Sequence, residues 1–233
     1  MHLTFASYNI RKAVGLDRRR DPARILSVLH EIDADVIALQ EADRRFGRRE
    51  SALPRAALDD SPWRAVPIHQ RSESLGWHGN ALLVRRSIDL ADASIVPLPM
   101  IEPRGAIRAD LLVDGRRIRV AGMHLDLSGI RRRHQVRAVL DHLSSCDHGP
   151  CPTVLMGDLN EWALHGGVFR EFADWQVLAP GRSFPANRPI AQLDRIIATP
   201  EWSVVDTGVH HSALAAVGSD HLPVRARLTL PKN

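Results

Sequence analysis

Six short stretches of this 233-residue chain set an acid, an amide or an imidazole in or beside an apolar run. They are Tyr8-Asn9-Ile10, Leu39-Gln40-Glu41, Gly122-Met123-His124-Leu125-Asp126, Met156-Gly157-Asp158-Leu159-Asn160, Gln192-Leu193-Asp194-Arg195-Ile196 and Ser219-Asp220-His221-Leu222-Pro223. Taken one at a time, each has an ordinary explanation. An Asp or Asn after a strand is a turn former or a helix cap, a single His is a structural residue, and Glu41 alone is a solvated one. As a set, Asn9, Glu41, Asp158, Asn160, Asp194, Asp220, His124 and His221 resist that explanation. If their strands share sheets, the strand ends converge on one edge. Gathered carboxylates repel one another and are costly to bury unpaired. A hard divalent cation relieves that repulsion, and all-oxygen ligands favour Mg²⁺ or Mn²⁺ over zinc.

The elements that must position these groups can be read from periodicity. Leu3 to Tyr8 reads as a buried strand. Asp21-Pro22 is a helix start, an N-cap acid with Pro in the first turn, and Ile25, Leu26, Leu29 and Ile32 recur at helical spacing over Pro22 to Ile32. Val36 to Leu39 is an apolar run of strand length, which completes a strand–helix–strand unit. Further on, Ala81 to Val84 is strand-like, and Ala106 to Val113 and Arg116 to Met123 flank Asp114-Gly115, a two-residue hairpin signal. A second helix is expected over Arg131 to Leu143, with Val136, Val139, Leu140 and Leu143 on one face. Thr153 to Met156, Leu193 to Ala198, Val204 to Val209 and Val224 to Leu230 are strand candidates. Many strands with few helices between them predict an α/β chain of two mixed sheets packed face to face, helices outside. No repeat, low-complexity tract or linker interrupts the sequence, so one domain over residues 1–233 is expected.

In this order the six motifs resemble those of the endonuclease/exonuclease/phosphatase superfamily, which includes pancreatic-type deoxyribonucleases, abasic-site endonucleases, inositol-polyphosphate 5-phosphatases and neutral sphingomyelinases. The matches run from Asn9 to Pro223; Gly157-Asp158-Leu159-Asn160 and Ser219-Asp220-His221-Leu222-Pro223 are the specific ones. The resemblance implies a four-layer α/β/β/α sandwich and a Mg²⁺- or Mn²⁺-dependent phosphoesterase. It implies that Glu41 is the principal metal carboxylate, with Asn9 and Asp220 nearby. Asp158 matches the residue that orients or deprotonates the attacking water, Asn160 an amide that hydrogen-bonds the scissile phosphate, and His221 a histidine against the phosphate, paired with an acid at Asp194. His124 matches the second histidine of the deoxyribonuclease and phosphatase branches, and Asn80 a position that faces the cleft. Such a set suffices for in-line hydrolysis: a metal neutralises charge on the phosphoryl oxygens, and an oriented carboxylate aligns water. Asp194 beside His221 would favour an imidazolium, a further cationic donor. One metal or two, and which group is acid or base, stay open.

Composition bounds the partners. The net charge is +4, and 29 of the 31 basic residues are arginines, Lys12 and Lys232 being the exceptions. Guanidinium groups bind phosphate bidentately, which suits an anionic partner; genome base composition gives the same bias. Arg11, Arg44, Arg45, Arg48 and Arg49 lie close to Asn9 or Glu41 in sequence, and Arg131, Arg132 and Arg133 follow His124; these are candidates to contact a phosphate backbone or to form a solvated face. Tyr8 is the only tyrosine, so the tyrosine of abasic-site enzymes has no evident counterpart. No apolar run approaches the ~20 residues that span a bilayer, and Met1-His2 leads into Leu3-Thr4-Phe5-Ala6-Ser7-Tyr8, so no integral membrane association, no export leader and a cytoplasmic location are expected. Cys146 and Cys151 are expected to be reduced, inert loop thiols. No protein partner is predicted.

Three functions fit these residues. The first is hydrolysis of a phosphodiester in DNA or RNA, which the arginines favour. The second is a phosphatase or phosphodiesterase acting on a small phosphorylated metabolite or a phospholipid head group. The third is a phosphate-binding module without catalysis, which loss of Asp158 or His221 would have signalled.

Overall fold

The apolar runs pair into two six-stranded sheets. In the computed structural model, residues 1–44, 50–68, 73–99, 104–146 and 149–231 are described. Chain order is β1 (His2–Asn9), α1 (Pro22–Ile32), β2 (Val36–Gln40), α2 (Arg55–Asp59), β3 (Trp63–Ala65), β4 (Ala81–Arg85), β5 (Asp89–Val96), β6 (Gly105–Val113), β7 (Arg116–His124), α3 (Gly129–Ser144), β8 (Thr153–Asp158), β9 (Gln176–Leu178), β10 (Asp194–Ala198), β11 (Ser203–Val209), α4 (Ala215–Gly218) and β12 (Val224–Thr229), with short 3-10 turns at Arg11–Ala13 and Gly167–Phe172. The first sheet has the order β11-β12-β1-β2-β4-β3 and the second β5-β6-β7-β8-β10-β9.

The two sheets share one plan. Each has a single parallel pair at its centre, β1 with β2 and β7 with β8, and every other neighbour is antiparallel. A parallel pair needs a crossover, supplied by α1 in one sheet and α3 in the other. The sequence itself shows no repeat, so the likeness lies in the topology.

Side-chain alternation builds the layers. Leu3 and Phe5 of β1, Val36 and Ala38 of β2, Leu82 and Val84 of β4, Val120 of β7, Met156 of β8 and Ile196 of β10 share one buried cluster between the sheets. The opposite faces pack outward: Ala6, Tyr8, Ile37 and Leu39 against Ile25, Val28 and Leu29 of α1, and Ala121, Met123 and Leu155 against Val136 and Val139 of α3. The result is a four-layer α/β/β/α sandwich. Gly122 lets the two sheets approach, since a Cβ there would stand 3.2 Å from Ala38 and Leu82.

Local signals set most boundaries. The Asp21 carboxylate accepts the Arg24 N–H at 3.0 Å, Pro22 opens α1, and Asp33 closes it in the left-handed region at φ 48°. Asp114 and Gly115 both have positive φ and join Val113 to Arg116, the geometry a two-residue hairpin requires. The second helix starts at Gly129 rather than Arg131. β5 has no sequence signal because it is an edge strand. Its exposed Asp89 and Asp92, and a bulge between Leu90 and Asp92, break the alternation that marks a half-buried strand.

Candidate active site

The alternation that fills the space between the sheets turns polar at one end. Asn9 continues the series from Leu3 and Phe5, and Gln40 that from Val36 and Ala38; Asn80, just before β4, continues that of Leu82 and Val84. On the second sheet His124, Asp158 and Asp194 are register partners across β7, β8 and β10. The sites therefore lie at the carboxyl ends of both parallel pairs, where open α/β sheets form ligand crevices.

Asp158 is the meeting point. Its Oδ2 accepts the Asn9 Nδ2–H at 3.1 Å across the two sheets, and it has His124 Nε2 at 3.4 Å and His221 Nε2 at 3.7 Å. Its Oδ1 accepts the Asn160 backbone N–H at 2.9 Å. Behind His221, Nδ1 donates to Asp194 Oδ2 at 2.9 Å, an oxygen that also accepts from the Ser183 hydroxyl. All of these are buried. Gly157 makes the arrangement possible: a Cβ there would lie 1.9 Å from the Met123 carbonyl oxygen.

The two imidazoles are driven in opposite directions. Burial alone would lower the His221 pKa, but the carboxylates of Asp194 and Asp158 and the hydrogen bond to Asp194 outweigh it and raise the value to about 10. Burial lowers His124 to about 3; Asp158 opposes the shift, whereas Arg104, His221 and Lys12 reinforce it. Arg104 donates to His124 Nε2, and a guanidinium can only donate, so that nitrogen is an acceptor. One site thus holds a charged imidazole and a neutral one on either side of a carboxylate.

Backbone strain concentrates here. Six of the nine non-glycine residues with positive φ among the described residues are Arg11, Lys12, Ala13, Glu41, His78 and Asn160. Each costs about 1–3 kcal/mol and persists where the surroundings enforce it, often at functional sites. The left-handed turn at Arg11–Ala13 touches three of the oxygen donors. The Arg11 N–H binds Asn9 Oδ1 at 3.1 Å, Arg11 Nε lies 3.4 Å from Asp220 Oδ2, and the Lys12 ammonium pairs with Glu41. Ser219 fixes the adjoining strand end through its hydroxyl, which donates to the Asn9 carbonyl at 2.6 Å.

Two sets of residues could hold a metal. Asp158, Asp194 and His221 each offer an atom within 4.8 Å of the others; the imidazolium of His221 repels a cation there. Asn9, Glu41 and Asp220 offer oxygens only. The two carboxylates are partly exposed and each is already matched by a side-chain cation, so this donor set fits a hard divalent ion.

The outer candidates divide. Arg11 is in the site. Asn80 is buried on the inward face; its Nδ2 donates to the Trp77 carbonyl and its Oδ1 has no partner. Asn160 also donates from Nδ2 to the Leu125 carbonyl. Arg44 pairs with Glu50 at 2.7 Å. Arg45, Arg48 and Arg49 lie outside the described residues. The Arg131–Arg133 run is not a free array: Arg131 faces Asp126, Arg132 is buried on Glu161, and Arg133 binds Glu171. Tyr8 packs among the α1-side residues, away from Asp158. Cys146 and Cys151 are free, half-buried thiols. Sequence reasoning gave no role to Lys12, Arg104, Ser183 or Ser219; Lys12 carried a signal as one of two lysines in an arginine-rich chain, and Ser219 as the first residue of the Ser219–Pro223 motif.

Comparison with known proteins places this geometry. The family model for the Endonuclease/Exonuclease/phosphatase family matches residues 6–221. The uncharacterized protein YbhP of Escherichia coli (strain K12) is 27% identical over 251 residues, covering 99% of this chain and 94% of that protein. Among solved structures, an endonuclease/exonuclease/phosphatase from Bacteroides vulgatus superposes with a TM-score of 0.80 at 17% identity, covering 99% of this chain and 100% of that one. The human Nocturnin catalytic domain with bound sulfate superposes at 0.76 and 19% identity, with coverages of 99% and 95%. At these identities the structural likeness is one of fold. No helix among the described residues is long and apolar enough to cross a membrane.

Proposed function

This chain belongs to the endonuclease/exonuclease/phosphatase family, and on that premise we propose that it is a divalent-metal-dependent phosphodiesterase that cleaves nucleic acid by attack of water. The observation that carries the reading is the convergence of Asn9, His124 and His221 on one oxygen of Asp158, with Asp194 behind His221.

Each group has a task its surroundings suit. Glu41, Asp220 and the amide oxygen of Asn9 would hold Mg²⁺ or Mn²⁺, which supplies charge neutralisation on the phosphoryl oxygens when bound. Asp158, fixed by Asn9 and Asn160, is a rigid acceptor for a proton of the attacking water, and rigidity lowers the entropic part of the barrier. His221 is kept cationic by two carboxylates and donates to a phosphoryl oxygen. The second N–H of the Asn160 amide is a neutral donor of the same kind. His124 is neutral and accepts from Arg104 at Nε2, so it holds that guanidinium at the site without adding charge of its own. Lys12 and Arg11 line the same edge and add positive charge toward an anionic substrate.

The test is hydrolysis of plasmid DNA, single-stranded RNA, bis-p-nitrophenyl phosphate, p-nitrophenyl phosphate and phospholipid vesicles, each with Mg²⁺, Mn²⁺ or EDTA. Metal-dependent cleavage of the nucleic acids is expected. Turnover confined to the monoester or to phospholipid moves the reading to a phosphatase or lipid phosphodiesterase. No cleavage with any metal leaves a phosphate-binding module.

A further inference from the structure

His221 does not end the site on its outer side. The Phe184 ring lies against the His221 ring, centroids 4.8 Å apart and inclined by 46°. Trp162 meets Phe184 edge to face, at 6.3 Å and 86°. The three rings form a continuous path from the buried imidazole to an indole that is 61% exposed.

Both outer rings are mounted rigidly. Trp162 follows Glu161, a carboxylate with only 7% exposure. That carboxylate accepts the Ala163 N–H at 3.1 Å, the Val168 N–H at 3.2 Å and an N–H of Arg132 at 3.1 Å. Gly167 closes over it, where a Cβ would stand 2.6 Å from Glu161 Oε2. Phe184 is bridged to Ala191 and adjoins Ser183, whose hydroxyl donates to Asp194 and whose carbonyl accepts the Leu222 N–H. The segment that orients the Asp194–His221 pair therefore also carries Phe184.

An exposed tryptophan on a fixed turn presents an aromatic face at little ordering cost on binding. Aromatic faces beside a phosphate site suit nucleobases, because every base has a face to stack. Exposed Arg182 and Arg188 bracket Phe184 in sequence, which suits a phosphate backbone running past it. We infer that Trp162, backed by Phe184, is a base-stacking subsite for the nucleotide next to the scissile phosphate, and that it sets a preference for substrates bearing a base there. The inference rests on the phosphodiesterase reading above.

Two oligonucleotides of one sequence separate the possibilities, one intact and one with tetrahydrofuran abasic residues in place of the nucleosides. The wild-type protein should cleave the intact strand with a kcat/KM roughly 10–100-fold higher, mainly through KM, the range that loss of one stacked base produces. Trp162→Ala should collapse that preference, and Trp162→Phe should keep most of it. Quenching of tryptophan fluorescence by the intact strand should fall in both variants. An undiminished preference in Trp162→Ala overturns the inference and leaves the phosphodiesterase reading standing. Cleavage and binding of neither strand by the wild-type protein overturns both. Loss of binding to phosphatidylglycerol vesicles in Trp162→Ala, with oligonucleotide kinetics unchanged, also overturns the inference, because the indole would then be a membrane anchor.

Discussion

The Nδ1 atom of His221 lies 2.9 Å from Oδ2 of Asp194, which joins β10 to the loop before β12. Asp194, with Asp158, holds the imidazole charged, its pKa raised to about 10. If the imidazolium assists catalysis, kcat/KM should stay level through neutral pH and fall as pH rises through about 10. Asp194→Asn should move that alkaline limb down toward the ordinary imidazole value of 6.5 and lower activity at pH 8 by at least ~10-fold. An unmoved limb in a pH–rate profile sinks the assignment. The same pair contributes to stability. The folded pKa exceeds the unfolded one, so its contribution is full below pH 6.5 and is lost as pH rises through about 10.

His124 titrates with the opposite sign. It is buried as the neutral form, with a pKa lowered to about 3. An unfolded chain takes up this proton below pH 6.5, the folded one only near 3. Its stabilisation is therefore complete above pH 6.5 and lost as pH falls toward 3. His124→Gln should flatten the acid side of a stability profile measured by urea unfolding at pH 7 and pH 4.5; an unchanged profile would assign the acid sensitivity to other groups.

Asp158 tests the centre of the site. Asp158→Asn keeps the volume and the bond from Asn160 but removes the proposed proton acceptor, and His221→Ala removes the proposed cationic donor. Each should reduce turnover by at least ~100-fold, the scale for losing a general base or a charge-stabilising donor. Near-normal hydrolysis by both folded variants would falsify the proposed chemistry.

If Glu41 holds the divalent ion as proposed, Lys12 competes with it for that carboxylate, because the Lys12 ammonium sits on Glu41. Lys12→Met should therefore tighten Mn²⁺ binding, up to ~5-fold for a partly exposed ion pair, when measured by calorimetry. It should also lower kcat by removing a cation from the phosphate side. Weaker Mn²⁺ binding in the variant would make Lys12 a structural support of the turn.

Apolar runs of strand length and helical spacing made the main elements legible in the sequence. The polar motifs beside those runs, with the family resemblance, singled out Asn9, His124, Asp158 and Asp194, which stand in the structure where an inward-facing series meets a strand end. The Arg11–Ala13 turn was not readable, because three consecutive left-handed residues, none of them glycine, contradict every local preference. They are held by Asn9 just before the turn and by Glu41 and Asp220 from distant elements. The basic run at Arg131–Arg133, open in the sequence between a phosphate contact and a solvated face, was not resolvable for a related reason: Arg132 and Arg133 pair with Glu161 and Glu171, 29 and 38 residues away. β3 and β9, at three residues each, are too short for any period to show.

Gly157 ties fold to site most tightly. It pairs with Met123 across the parallel β7–β8 ladder, one step before His124 and Asp158. Its missing side chain makes room for the Met123 carbonyl, which a Cβ would approach to 1.9 Å. No rotamer change relieves a clash with backbone, so Gly157→Ala must push the β7–β8 ladder apart. The expected destabilisation is at the upper end of the ~1–3 kcal/mol typical of overpacking. Because Asp158 is the next residue, the same shift should lengthen its approach to Asn9 and His221, so activity should fall by more than the folded fraction does. Urea unfolding and turnover measured on the same preparation separate the two effects; loss of activity in strict proportion to unfolding would place Gly157 in packing alone.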